Sequence, residues 1–208
     1  MPETGPGAPA LQELLEVMRR LRAECPWKAE QTHRSLARYL LEETHETLEA
    51  IDTGDPAHLR EELGDLLLQV YFHAVIAEES GAYDLDDVAR GITDKMVRRN
   101  PHVFAPADPA AERPGDAAAV NEAWEAIKAE EKSARTSVLD GIAPTLPALL
   151  YADKALDRLA RAGRPVATDP ASPDLGDRLL ALVAEARAAG VDPEQALRDT
   201  VRKHTRDH

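Results

Sequence analysis

Residues 56–79 read PAHLREELGDLLLQVYFHAVIAEE. Pro56 lacks an N–H and suits the first position of a helix, while Ser80-Gly81 supplies the stop, so the stretch is one helix with no proline inside it. Leu59, Leu63, Leu66, Leu67, Val70, Ala74 and Ala77 recur at helical spacing, and from Leu66 to Ala77 the helix is apolar nearly all round, as a buried helix is. Its polar members there are Gln69 and His73, which extend a line begun by Glu62 and Asp65 along one edge. The chain is therefore expected to be all-α, built around this helix.

Working outward, Thr53-Gly54-Asp55-Pro56 is a tight turn, which predicts an antiparallel pair with a second helix running from a Thr32 or Ser35 cap to about Asp52. That helix carries Ala37, Leu41, Leu48 and Ile51 on one stripe. Leu11, Leu14, Leu15, Met18 and Leu21 predict a first helix over about 10–24, ending at the loop Cys25-Pro26-Trp27. Asp84 opens a fourth helix that runs to Arg99. Asn100-Pro101-His102-Val103-Phe104 and a Pro/Ala/Asp-rich connection to Gly115 follow, then a charged helix from about Asp116 to Lys132 with Trp124 and Ile127. After a break from Ser133 to Pro147, a smaller section holds helices near 146–161, 175–189 and 193–206. Residues 1–9, with three Pro and two Gly, read as a mobile tail, and the chain divides into units over 10–134 and 135–208.

The 208 residues are 43% hydrophobic but only 4% aromatic, so the core must be mainly aliphatic. Cys25 is the single cysteine, which excludes an internal disulfide and a Cys-based zinc site and fits a reducing cytoplasm. The N-terminus shows no basic region followed by an apolar core, and no stretch reaches the length of a membrane span, so a soluble, unexported protein without a membrane partner is expected. With 25 basic against 38 acidic residues, the net charge of −13 argues against a protein that covers duplex nucleic acid with Lys and Arg. The surplus is concentrated. Between Glu42 and Asp65 lie nine acids and one base, Arg60, which supply −8 of that charge.

Two carboxylate groups account for the chemistry, Glu42-Glu43-Thr44-His45-Glu46 on the second helix and Glu62-Leu63-Gly64-Asp65 on the third. Residues three or four apart share a helix face, so Glu43 with Glu46 and Glu62 with Asp65 are local pairs that antiparallel packing brings together. Four converging carboxylates repel one another, and a hard divalent cation such as Mg²⁺, which prefers oxygen ligands, removes that conflict. A solvated acidic face competes for the second helix alone, but a polar line on a buried third helix has to be satisfied. Gln69 and His73 fit internal hydrogen bonding better than direct ligation. Glu42-Glu43-Thr44-His45 has the Glu-x-x-His spacing of di-iron bundles, yet the third helix offers no matching His, so a di-iron oxidase ranks below a magnesium site. Lys95-Met96-Val97-Arg98-Arg99 ends the fourth helix, where bases complement the helix dipole and would equally suit a polyphosphate. No Gly-x-x-x-x-Gly-Lys-Ser/Thr loop is present.

Taken together these residues resemble the MazG family of all-α nucleoside triphosphate pyrophosphohydrolases. The family pattern Glu-Glu-x-x-Glu followed by Glu-x-x-Asp falls on Glu42, Glu43, Glu46, Glu62 and Asp65. Further matches are Cys25-Pro26-Trp27, Gln31-Thr32-His33, Lys95 through Phe104, Trp124-Glu125-x-Ile127-Lys128 and Ser137 through Ile142. The resemblance implies a four-helix module completed by homodimerisation, and Mg-dependent cleavage of nucleoside triphosphates into monophosphate and pyrophosphate, a nucleotide-pool cleansing role in the cytoplasm. By the same resemblance Glu43, Glu46, Glu62 and Asp65 hold Mg²⁺, with Mn²⁺ as a substitute. Glu42 positions or deprotonates the attacking water, Lys95 with Arg98 or Arg99 neutralises the triphosphate, and Trp27 stacks on the base or anchors its loop.

Two departures from the family pattern stand out. Lys28 occupies the place of the usual acid after Cys-Pro-Trp. In the C-terminal part only Asp174-Leu175-Gly176-Asp177 occupies the Glu-x-x-Asp position, with no Glu-Glu-x-x-Glu before it, so residues 135–208 are expected to be a shortened, inactive second unit. The alternative of a non-catalytic nucleotide-sensing or interaction module takes that erosion as its motive.

Overall fold

In the computed structural model the described residues are 9–105, 115–131 and 137–205. Of the tail expected over residues 1–9, residues 1–8 lie outside them and Pro9 opens the first helix, while the 106–114 connection and the unit boundary at 134/135 also lie outside. The described residues contain helices and no strand. In order these are α1 (Pro9–Glu24), α2 (Pro26–Ala29), α3 (His33–Thr53), α4 (Pro56–Glu79), α5 (Leu85–Arg99), α6 (Pro101–Phe104), α7 (Ala117–Glu130), α8 (Ala148–Arg161), α9 (Leu175–Ala188) and α10 (Pro193–Thr205). The chain forms two compact units, Met1–Trp124 and Glu125–His208.

Local chemistry sets the helix ends of the first unit. Thr32 caps α3 in a reciprocal box with Ser35. Gly54 closes α3 at φ +72°, a left-handed turn that lets Asp55 cap α4 at once, with Pro56 in its first position. The pair α3 and α4 thus becomes a long antiparallel hairpin. Gly81, at φ +68°, ends α4 in the same way, and Asp84 boxes with Asp87 to start α5.

The core gathers Met18 from α1, Leu36 from α3, and Tyr71, Phe72 and Val75 from α4, ringed by Leu14, Leu15, Leu21, Tyr39, Leu67, Leu68, Ile76 and Leu85. Ion pairs tie α1 to α4, with Arg19 on Glu78 and Arg22 on Glu79 at 2.7 Å and 2.6 Å. The Arg22 guanidinium, 8% exposed, also donates to the carbonyls of Lys28 and Gln31 and so secures α2 and the start of α3.

The α3–α4 register differs from the aliphatic stripe expected of the second helix. Leu41 and Ile51 are 61% and 55% exposed, and so are Leu63 and Val70 of α4 at 51% and 42%. The buried face of α3 is Leu36, Thr47 and Ala50, on the same side as Glu43. A helix with an acidic and an aliphatic face can turn only one of them to a single neighbour, and α3 turns the acidic one. Thr47 fits there because its hydroxyl donates to the Glu43 carbonyl at 2.8 Å and reaches the Glu62 carbonyl at 3.5 Å.

In the second unit α8, α9 and α10 pack on one another around Leu156, Ala181 and Val183. Arg187 of α9 binds Asp153 and Asp157 of α8. Arg158 donates to the carbonyls of Val138 and Asp140 at 3.2 Å and 2.9 Å, holding the 137–142 turn.

Candidate active site

The hairpin brings Glu43 of α3 together with Glu62 and Asp65 of α4, each offering an oxygen within 4.8 Å of the others. Glu62 is 9% exposed. The Glu43 carboxyl is pushed above the usual carboxylate range, first by burial and then by the charges of Asp65, Glu46 and Glu62, with a hydrogen bond to Glu46 acting in the same direction. Three carboxylates crowded from two helices form an all-oxygen set of the kind hard divalent cations select, and such a cation would relieve the strain that Glu43 bears.

Glu46 is exposed beside this cluster, and Glu42, also exposed, lies outside it. Lys95 is half-buried on α5, Arg98 is exposed, and Arg99 is buried under the ring of Trp124 at 5.3 Å. Among the described residues α5 packs on α4 and α6 and not on α3. Trp27 is 49% exposed, edge-on to Tyr39 at 6.1 Å. The departure at Lys28 has a structural account, because its ammonium sits 5.3 Å from the Trp27 ring and 5.2 Å from Phe72, bridging α2 to α4 through two cation–π contacts.

Two partners escaped the sequence reading. His58 Nε2 lies 3.2 Å from Glu62 Oε1, one turn earlier on α4, and its signal is the four-residue spacing to Glu62. His33 meets His73 with Nδ1 to Nδ1 at 2.7 Å, a contact between distant positions that no local pattern announces. The His73 imidazole is held below its usual range, by burial first and by His33 second. Gln69, between Asp65 and His73, is 5% exposed.

Comparison with known proteins agrees with this architecture. Residues 31–104, which span the hairpin and α5, match the MazG nucleotide pyrophosphohydrolase domain. The chain is 47% identical to a 26.1 kDa protein of the blaB 3′ region in Streptomyces cacaoi, over 93% of this chain and 78% of that one. It is 38% identical to the nucleoside triphosphate pyrophosphohydrolase/pyrophosphatase MazG of Thermotoga maritima, over 92% and 81%. It is 44% identical to the nucleoside triphosphate pyrophosphohydrolase of Escherichia coli K12, over 88% and 70%. With carboxylates from two antiparallel helices converging inside the matched domain, the chain belongs to the MazG family of nucleotide pyrophosphohydrolases.

Proposed function

We propose that this enzyme hydrolyses nucleoside triphosphates between the α- and β-phosphates, giving nucleoside monophosphate and pyrophosphate, at the carboxylate seam of α3 and α4. The observation that carries the reading is the convergence of Glu43, Glu62 and Asp65, three oxygens within 4.8 Å from two helices. Glu46, beside Glu43, completes the set that would hold Mg²⁺, with Mn²⁺ as a substitute. Such an ion, when bound, lowers the pKa of a coordinated water and offsets charge on the attacking and leaving oxygens.

The chain's own groups do the rest. Glu42, one residue from Glu43, orients the attacking water or takes its proton. Lys95 with Arg98 or Arg99 neutralises the triphosphate, and Trp27 offers its ring to the base. The exposed Leu41, Ile51, Leu63 and Val70 of the hairpin, with Val88 and Ile92 of α5, are apolar faces that a second copy would cover. A homodimer built on them completes a four-helix bundle and supplies what the single chain leaves uncovered. Residues 135–208 serve as a shortened unit without catalysis, a reading supported by the use of Asp174 as the cap of α9, where it accepts the Asp177 amide. The cellular role that follows is cleansing of the cytoplasmic nucleotide pool. No described helix is long and apolar enough to cross a membrane.

The test is incubation of the purified chain with canonical and damaged (d)NTPs and Mg²⁺. Monophosphate and pyrophosphate are expected, whereas a diphosphate with orthophosphate would sink the reading.

A further inference from the structure

Within the α3–α4 seam the side chain of Gln69 is buried, and its Oε1 accepts no hydrogen bond from any described residue. A buried amide oxygen without a donor costs about 1–3 kcal/mol, so such a group calls for a partner, whether an ordered water or a ligand. Its place on α4 indicates what that is. Gln69 stands one turn beyond Asp65 and two turns beyond Glu62, so its backbone is about 6 Å along the helix axis from that of Asp65. One turn further, His73 and His33 close the line.

The geometry of that pair matters. The two rings are 9° from parallel with centroids 5.0 Å apart, while the Nδ1 atoms are 2.7 Å apart. The Nδ1 separation plus the two ring radii accounts for the whole centroid distance, so the rings meet edge to edge in a common plane instead of face to face. A single proton between the two Nδ1 atoms joins them. Each histidine thereby occupies the other's Nδ1, and between the carboxylates and this pair Gln69 is left with a buried acceptor that no described group meets.

We propose that Gln69 is a specificity-determining residue that accepts a hydrogen bond from a sugar hydroxyl of the bound nucleotide. The inference rests on the hydrolysis proposed above, because the carboxylates would place the phosphates and the sugar is the group that follows the α-phosphate. A hydroxyl brings the donor that Oε1 lacks. A neutral amide is the acceptor suited to this position, since another carboxylate one turn from Asp65 would add repulsion to a cluster already carrying Glu43, Glu46 and Glu62. The joined histidines then bound the seam on the side of the base.

The experiment compares the intact chain with Gln69→Leu, using one base in its ribo, 2′-deoxy and 2′,3′-dideoxy triphosphate forms with Mg²⁺. Two readouts run in parallel, kcat/KM for pyrophosphate release and Kd for the corresponding α,β-imido analogues. The unmodified chain is expected to lose at least about tenfold at the step that removes the recognised hydroxyl, because a site built to pair a hydroxyl is left unsatisfied without it. Gln69→Leu should flatten that step to under about twofold, with Mn²⁺ binding in the absence of nucleotide unchanged, since it removes the acceptor and leaves the carboxylates in place. Gln69→Met repeats the measurement with an unbranched side chain should the leucine prove poorly accommodated, and thermal melts check that each variant is folded.

A sugar step of equal size in all three proteins overturns the proposal, and so does a step missing from the unmodified chain. An effect of Gln69→Leu that follows a change of base at fixed sugar assigns the residue to the base and overturns it equally. Failure of the hydrolytic reading looks different. The analogues would bind with the sugar step intact in the unmodified chain and lost in Gln69→Leu, yet no pyrophosphate would appear.

Discussion

Glu43 of α3 and Asp65 of α4 bring oxygens within 4.8 Å of each other, and after burial the Asp65 charge is the strongest influence raising the Glu43 carboxyl. A carboxyl raised in the folded state binds its proton more tightly there than in the unfolded chain. Stability therefore falls as pH rises from the usual carboxylate range through the raised value. Without divalent ions, thermal melts should show a declining Tm over that window. Added Mg²⁺ should raise Tm most at its upper end, where Glu43 is ionised. A Mg²⁺ increment independent of pH would contradict the account.

Removing a carboxylate should abolish turnover without unfolding the hairpin. Glu43→Ala and Asp65→Ala are each expected to lower pyrophosphate release by at least about a hundredfold, since both would hold the ion that the reaction needs. Far-ultraviolet circular dichroism should remain that of the unmodified chain. Retained activity in either variant would remove the seam as the site.

His58 supports Glu62 from one turn away at 3.2 Å. Partners of this kind orient ligands, and their loss typically costs about 10- to 100-fold in metal affinity. His58→Ala should therefore weaken Mn²⁺ binding in calorimetry by that order, while Arg60→Ala, also on α4, serves as the control.

Arg22 joins α1 to Glu79 and to the carbonyls of Lys28 and Gln31. Its hydrogen bonds also hold the Glu79 carboxyl below the usual range. Arg22→Ala strands several acceptors at once and should destabilise the first unit by about 2–3 kcal/mol, allowing for the half-exposed Glu79. Chemical denaturation followed by circular dichroism measures it.

The apolar faces give a separate test. Leu41→Asp places a charge where a second copy would lie, and sedimentation should then report the mass of a single chain from a protein that remains helical. An unchanged dimer would move the interface elsewhere.

Much of this architecture was legible in residue order because punctuation and caps are local. Pro56 and Ser80-Gly81 bracket α4, and Asp84 opens α5, each within a residue of the observed bounds. The four-residue helix α2 lies where the sequence suggests a loop, and α6 where it suggests no element, since so short a run has no periodicity to detect. The register of α3 was not legible either. Leu41 and Ile51 form as good a stripe as Leu36, Thr47 and Ala50, and only the neighbour decides which is covered. In the site, three- and four-residue spacings on single helices pointed to Glu43, Glu62 and Asp65. The join of His33 to His73 depends on how two helices slide past each other, which spacing along either one cannot express.

In the second unit the Asp177 carboxylate receives the Ser172 hydroxyl at 2.9 Å, while Asp174 accepts the Asp177 amide at 3.1 Å as the cap of α9. The acids that occupy the Glu-x-x-Asp position are thus engaged in starting a helix, and no Glu-Glu-x-x-Glu precedes them in the C-terminal part of the sequence. The consequence is one of stoichiometry. A nucleotide titration should reach its endpoint at a single equivalent per chain, and dimerisation would double the sites per particle without altering that ratio.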